Sequence, residues 1–418
     1  MKKIYKISCA ALACGLGIGM IGCSGKKDDA IKLTVWVSEA EKAFVQQAAD
    51  AFQKKNPDKK YKITIDMQGV NDVATRVLKD VENAADIYSC SNDQLSQLVN
   101  GDALAQISGD RLTRMQQANA EEAVQAVTLK KGDKQGVYGL PYTDNTFFLY
   151  YNKSVLTETD VQSIDGILSK CENGKQFAFP MRDGWYTTSF YFGKDLGYQV
   201  EYDENLGESK ITCDFDNDTG VAVTQAMWDL VKDNRVKADA DDSKIIAGFN
   251  DGSIVAAVSG IWNKTSIANY LKDNFAAVKL PTYTFKKGTE QAEQVQLTAF
   301  AGYKLYGVNN YSKNKTDALD FAEFLTNTEN QVKYFEQRGY VPTDKTARQN
   351  EKVQSDICAK AITAQLAYSK TQMGVPSTLW RPMEGLGAAM ITGINSGSFN
   401  AAEQIKACVA AIEKNADK

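Results

Sequence analysis

The chain has 418 residues, 43% of them apolar and 10% aromatic, which is too much for one ordinary core and enough for two or three. It carries 48 basic and 52 acidic residues, with no Lys/Arg-rich block, so a nucleic-acid partner is disfavoured. It has no histidine, which removes Ser-His-Asp and Cys-His catalysis, HExxH zinc sites and imidazole acid–base work together.

Lys2, Lys3 and Lys6 precede an apolar, small-residue run from Ile7 to Met20, too short for a permanent membrane span. Residues 1–22 therefore read as an export signal. Its end, Met20-Ile21-Gly22-Cys23, resembles a bacterial lipobox with Cys23 as the lipidated first residue, followed by a flexible linker over 23–30. Acyl chains on Cys23 would hold the protein at a membrane surface without a spanning helix. The signal holds three lysines and no acid, so its removal leaves 45 basic against 52 acidic residues, a formal charge of −7. Cys90, Cys171, Cys213, Cys358 and Cys408 are scattered, without a CxxC pair, and read as buried free thiols.

Ile31 to Val37 is β-rich, and Ser38-Glu39-Ala40-Glu41 is a capping box for the helix that follows, stopped at Asn56-Pro57. Alternation from Tyr61 to Met67 completes a βαβ unit and implies a parallel sheet. The pattern repeats with a helix over 72–81, a strand over 86–89 and a helix over 92–99. Val137 to Lys153 then reads as two strands about a polar bend at Thr143 to Thr146, and Phe147 to Tyr151 is apolar enough to be buried on both faces. This is a first hinge between two lobes.

Helix and strand signals restart after Ile164. An aromatic stretch runs from Gly184 to Phe192, a helix from Val221 to Asp233 and a strand from Ile254 to Val258, with Ser259-Gly260-Ile261-Trp262 at its carboxyl end. Leu280 to Tyr283 and Arg338 to Pro342 are the second and third candidate crossings, separated by a strand from Ala299 to Val308 that returns to the first lobe. The remainder is helical. Asp214 to Gly220 lacks the bidentate glutamate of a calcium loop and reads as helix N-capping, and no GxSxG or GxxxxGK[ST] occurs in the chain. No cofactor is implied. Tryptophans at strand ends, Trp185, Trp262 and Trp380, stand beside polar residues. Indole faces pack on the C–H patches of sugar rings, while carboxylates and amides pair with hydroxyls.

The ordered set KLTVWV, AADIYSCSND, NGDALAQI, VYGLPYTDNTFFLYYNK, KADADDSKIIAGFNDGSIVAAVSGIWN, AFAGYKLYGVN, RGYVPTD and WRPM resembles the extracellular solute-binding proteins of bacterial ABC importers, specifically the maltose/maltodextrin-binding group. The resemblance implies an α/β fold of periplasmic-binding-protein type, two lobes with three interlobe crossings, dividing as 31–143 plus 284–338 and 144–283 plus 339–418. It implies a monomeric, non-enzymatic receptor at the outer face of the membrane of a Gram-positive bacterium, holding malto-oligosaccharides in the cleft and delivering them to ABC permease subunits. Asp93, Asp183, Trp185, Trp262 and Trp380 match the family's ligand-contacting acids and aromatics, and Glu41-Lys42 sits where it has an acidic-basic pair. Two departures touch specificity: Asn145 stands where a glutamate is usual at the hinge, and Cys90 where the first lobe usually offers an aromatic. Rival readings are a receptor for another oligosaccharide or a polyol, and a surface glycoside hydrolase working with two carboxylates.

Overall fold

The structure, a computed structural model, describes residues 30–131 and 134–414; the export signal and Cys23 lie outside them. The first lobe is built on a sheet in the order Ser369–Thr371, Ala299–Val308, Ile87–Ser91, Ile31–Val37, Tyr61–Met67, with Leu140–Asn145 on the other side of Ala299–Val308. Strands Ile31–Val37 and Tyr61–Met67 are parallel and fully in register, Ile31 opposite Tyr61 and Val37 opposite Met67, as the βαβ pattern requires. Helix Glu39–Lys55 connects them, burying Phe44, Val45, Ala48, Ala49 and Phe52.

The chain leaves this sheet at Asn145 and enters the second at once. Here the order is Val236–Lys237, Gln176–Ala178, Ile254–Gly260, Phe147–Asn152, Phe275–Val278. On Phe147–Asn152 alternate side chains enter different clusters. Phe147, Leu149 and Tyr151 join the second lobe's core, while Phe148 and Tyr150 join a cluster continuous with the first lobe. Burial on both faces accounts for the unbroken apolar run, and each such side chain contributes roughly 1.5–3 kcal/mol.

One boundary differs from expectation. The hairpin of Thr282–Phe285 and Glu293–Gln296 does not return to the first lobe at 284; it packs on helices Ile164–Leu168 and Asp218–Val231 of the second. The return comes with Ala299–Val308, whose later residues pair antiparallel with Ile87–Ser91 and Leu140–Asn145. The third crossing lies beside the first, since Asp144 N–H donates to the Val341 carbonyl. Arg348 clamps them with two bonds to the buried Asp144 carboxylate, at 2.7 and 2.9 Å. Helices Trp380–Ser396 and Ala401–Ile412 finish the second lobe against Gly184–Phe192 and Asp218–Val231. Asn217 caps Asp218–Val231 by accepting from the Gly220 N–H at 3.0 Å, the capping role read in the sequence.

All five described cysteines are free and buried. Burial pushes the Cys171 thiol up to about 11 and the Cys213, Cys358 and Cys408 thiols up to about 12. A thiol-specific reagent at pH 8 should label none of the five in the native protein and all five in denaturant. Fast native labelling of any one would contradict this packing.

Candidate cleft between the lobes

Strand Ile254–Gly260 ends in a single 3-10 turn, Ile261–Asn263, that lays the Trp262 ring directly over Gly260, where any Cβ would overlap it. Trp262 borders both apolar clusters. Its Nε1 donates to both carboxylate oxygens of Asp242 at 3.1 Å, and Asn263 Nδ2 donates to the same carboxylate at 2.6 Å. The indole plane is thereby held from its edge, leaving its faces for packing.

Helix Gly184–Phe192 brings the second indole. Asp183 caps it, its Oδ1 accepting from the Trp185 N–H at 2.9 Å. Phe147 and Tyr186 meet the Trp185 ring edge-on at 4.7 and 5.2 Å. Trp185 and Trp262 then stand 5.8 Å apart between centroids with planes inclined by 39°, forming a corner of two indoles. Loss of solvent, with Glu384 and Asp242 behind it, pushes the Asp183 carboxyl up to about 6 against the pull of the Trp185 N–H, although the residue keeps an exposed edge.

Asp93 reaches this region from the first lobe, in the 3-10 turn Asn92–Gln94 after strand Ile87–Ser91. The Gln372 amide draws its carboxyl down, and Gln372 Oε1 accepts from Trp185 Nε1 at 3.2 Å. Asp93 Oδ1 is buried and has no hydrogen-bond partner among the described residues, as is Asn92 Nδ2. Desolvation pushes the Asp93 carboxyl up to about 6, against its own backbone N–H and the Gln372 amide.

Asn145 is half-buried at the hinge, paired with Gly302. Trp380 opens the helix Trp380–Ser396, its carbonyl close behind Gly184 and its ring edge-on to Phe300 at 5.6 Å. It is not in ring contact with the Trp185–Trp262 corner. Lys42 is exposed on the first turn of its helix.

Glu41 corrects the expectation drawn for it. It is 0% exposed. Tyr334 OH donates to Oε1 at 2.6 Å and Tyr142 OH to the same oxygen, while the Ser38 N–H and Oγ donate to Oε2 at 3.1 and 2.8 Å. Both oxygens are used inside the first lobe, so the capping-box reading of Glu41 prevails over the ligand reading. Asp242, Glu384 and Gln372 were not singled out in the sequence. Asp242 is one of three acids in the polar run Lys237 to Lys244, and Gln372 lies in a loop without a motif.

A family description, bacterial extracellular solute-binding protein, matches residues 47–361. The chain belongs to that family. It is 23% identical to the galactooligosaccharide-binding protein of Bacillus subtilis (strain 168), covering 94% of each chain, and 26% identical to the same organism's maltodextrin-binding protein MdxE, covering 92% of each. Among solved structures, the maltodextrin-binding protein MalE1 from L. casei BL23 without ligand superposes with a TM-score of 0.73 at 26% identity, over 92% of this chain and 99% of that one. Solute-binding proteins capture ligands and break no bond in them, so the hydrolase reading is set aside and the protein is a receptor. Two lobes of mixed α/β structure are what this solute-binding family and its solved neighbours share. Among the described residues no helix is long and apolar enough to cross a membrane.

Proposed function

We propose that the protein captures malto-oligosaccharides between its lobes and delivers them to the permease subunits of an ABC transporter, anchored at the outer face of the membrane by lipid on Cys23. The observation that carries the ligand class is the indole corner: Trp185 and Trp262, from separate elements, meet at 5.8 Å beside Asp183 and Asp242. Such a corner offers apolar faces to sugar rings and acceptors to their hydroxyls. The proposed contact set is Asp93, Asn145, Asp183, Trp185, Trp262 and Trp380, with Lys42 at the rim and Glu41 left out. A galacto-oligosaccharide or another oligosaccharide is the second reading. It is favoured by Cys90, 0% exposed where the family usually offers a first-lobe aromatic, so one stacking surface is missing.

Calorimetric titration with glucose, maltose, longer maltodextrins and a β-linked galacto-oligomer tests both. Maltodextrins should bind near micromolar, about −8 kcal/mol. Heat from the galacto-oligomer alone would transfer the assignment to the second reading, and no heat from any of them would end it.

Binding should weaken on acidification. Asp93 and Asp183 accept best when ionised, and both carboxyls lie near 6, so affinity should fall several-fold between pH 7.5 and 5. The free protein moves the other way. These two groups have folded values above the ordinary 3.8, so their contribution to stability grows as pH falls through 6. Titrations at both pH values check the sign, and an affinity that rises on acidification would remove carboxylates from the contact set.

A further inference from the structure

Two residues beyond Trp262, Lys264 opens the second-lobe helix Lys264–Leu271, yet its side chain reaches out of that lobe. The ammonium bonds the Asp356 carboxylate, and both side chains are largely enclosed, at 20% and 16% exposure. It also lies 5.2 Å from the centroid of the Phe335 ring. Phe335 is a buried residue of the first-lobe helix Thr328–Arg338, which packs on Glu39–Lys55 and Lys315–Leu325. The stem of Lys264 runs over Gly339, where any Cβ would stand 2.7 Å from Lys264 Cδ and 3.4 Å from Ile261 Cδ1. Gly339 ends the first-lobe helix at φ +75°, in the left-handed region that favours glycine, and leads into the third crossing. Ile261 and Lys264 flank Trp262 and its neighbour Asn263 in the chain. The turn that carries this indole therefore rests on the third crossing from both of its ends.

We infer that Lys264 is a positioning residue that braces the Trp262 turn against the third crossing and so couples the indole corner to the angle between the lobes. The Asp356 carboxylate serves two elements at once. Its Oδ1 caps helix Ile357–Leu366, accepting from the Cys358 and Ala359 N–H groups at 2.9 and 3.0 Å, and its Oδ2 takes the ammonium. That helix packs on Phe147–Asn152 and Phe275–Val278 of the second lobe. Lys264 thus grips the segment into which the third crossing runs, and through Phe335 the helix from which it departs. A cation held against a carboxylate and near an aromatic ring keeps one geometry, and swinging the second lobe away from Phe335 breaks the ring contact. Without the brace more lobe arrangements become accessible, and the apparent affinity of a ligand that needs one of them falls with its population.

This role rests on the carbohydrate reading of the cleft for its ligand, but the brace itself can be read without one. Lys264→Met keeps the stem over Gly339 and removes the charge, while Asp356→Asn keeps the Oδ1 acceptor that caps the helix. In small-angle X-ray scattering without sugar, Lys264→Met should have a larger radius of gyration than wild type. With maltotriose it should bind about fivefold more weakly, as expected if the competent arrangement falls to about a fifth of its population, while melting within a few degrees of wild type. Asp356→Asn alone should weaken binding by less, and adding it to Lys264→Met should weaken binding no further, because the two side chains act as a pair. Wild-type scattering in Lys264→Met overturns the inference, as does a double variant whose loss is the product of the two single losses, or an affinity loss matched by a comparable loss of stability. If wild type binds no sugar but Lys264→Met scatters as stated, the brace stands and the carbohydrate reading fails.

Discussion

Glu41→Ala destabilises the protein by about 3–5 kcal/mol, the range expected when a buried charge that balances another buried charge is removed. The carboxylate is fully enclosed and Lys304 is 7% exposed. Among the described residues, Lys304 Nζ meets the Tyr340 hydroxyl at 3.3 Å and the Tyr340 ring, whose centroid is 4.8 Å away, and no acid pairs with it directly. Without Glu41, the ammonium stays buried without its balancing charge and the Tyr334 hydroxyl loses its acceptor, while Tyr142 keeps only Ser89 Oγ at 2.9 Å. Burial pushes the Glu41 carboxyl up, yet Lys304 and the hydroxyls of Tyr142, Tyr334 and Ser38 outweigh it and hold it below the ordinary 4.5. Its contribution is therefore fully present above about pH 4.5 and is lost as pH falls through the lower folded value. Urea unfolding at pH 7 measures the difference. Glu41→Met combined with Lys304→Met should cost less than Glu41→Ala alone, because no charge is then stranded. A Glu41→Ala protein as stable as wild type but unable to bind sugar would return Glu41 to the cleft.

Trp185→Ala weakens maltodextrin binding at least tenfold and leaves the unfolding midpoint of the free protein nearly unchanged. The indole is half-buried, its packing neighbours Phe147 and Tyr186 keep other partners, and its N–H serves the Gln372 amide, not the core. Loss of the ring removes one wall of the corner with Trp262, and a stacked sugar forfeits about 1.5 kcal/mol or more, a factor of at least ten. Calorimetric titration beside thermal unfolding separates the possibilities. Intact affinity with a large fall in midpoint would assign Trp185 to the core.

The strand Phe147–Asn152 was legible in the sequence because burial on both faces demands an unbroken run of large apolar residues, and few other arrangements tolerate one. Helix Gly184–Phe192 was not, because all its residues except Trp185 are buried and a helix enclosed on every side has no apolar face to generate a 3.6-residue period. Its aromatic content was visible; its conformation was not. Glu41 shows a different failure. Local capping chemistry and family resemblance pointed to opposite roles for one carboxylate, and only Tyr142 and Tyr334, brought from other elements, decide between them. Gln372 had no local signature, since Trp185, to which its side chain bonds, lies on an element distant in the chain.

The interleaving of the chain between the two sheets bears on how the protein is made. Ala299–Val308 sits between Ile87–Ser91 and Leu140–Asn145, so the first sheet cannot assemble until residue 308 has been synthesised. The second sheet has all its strands by residue 278, but helix Asp218–Val231 is covered only when Ala401–Ile412 arrives. Pairings of such long sequence separation form late and slowly. A polypeptide whose first sheet and whose last covering helix both wait for late segments stays threadable for most of its synthesis, which suits a secretory pore that admits extended chains and leaves compaction to the far side of the membrane.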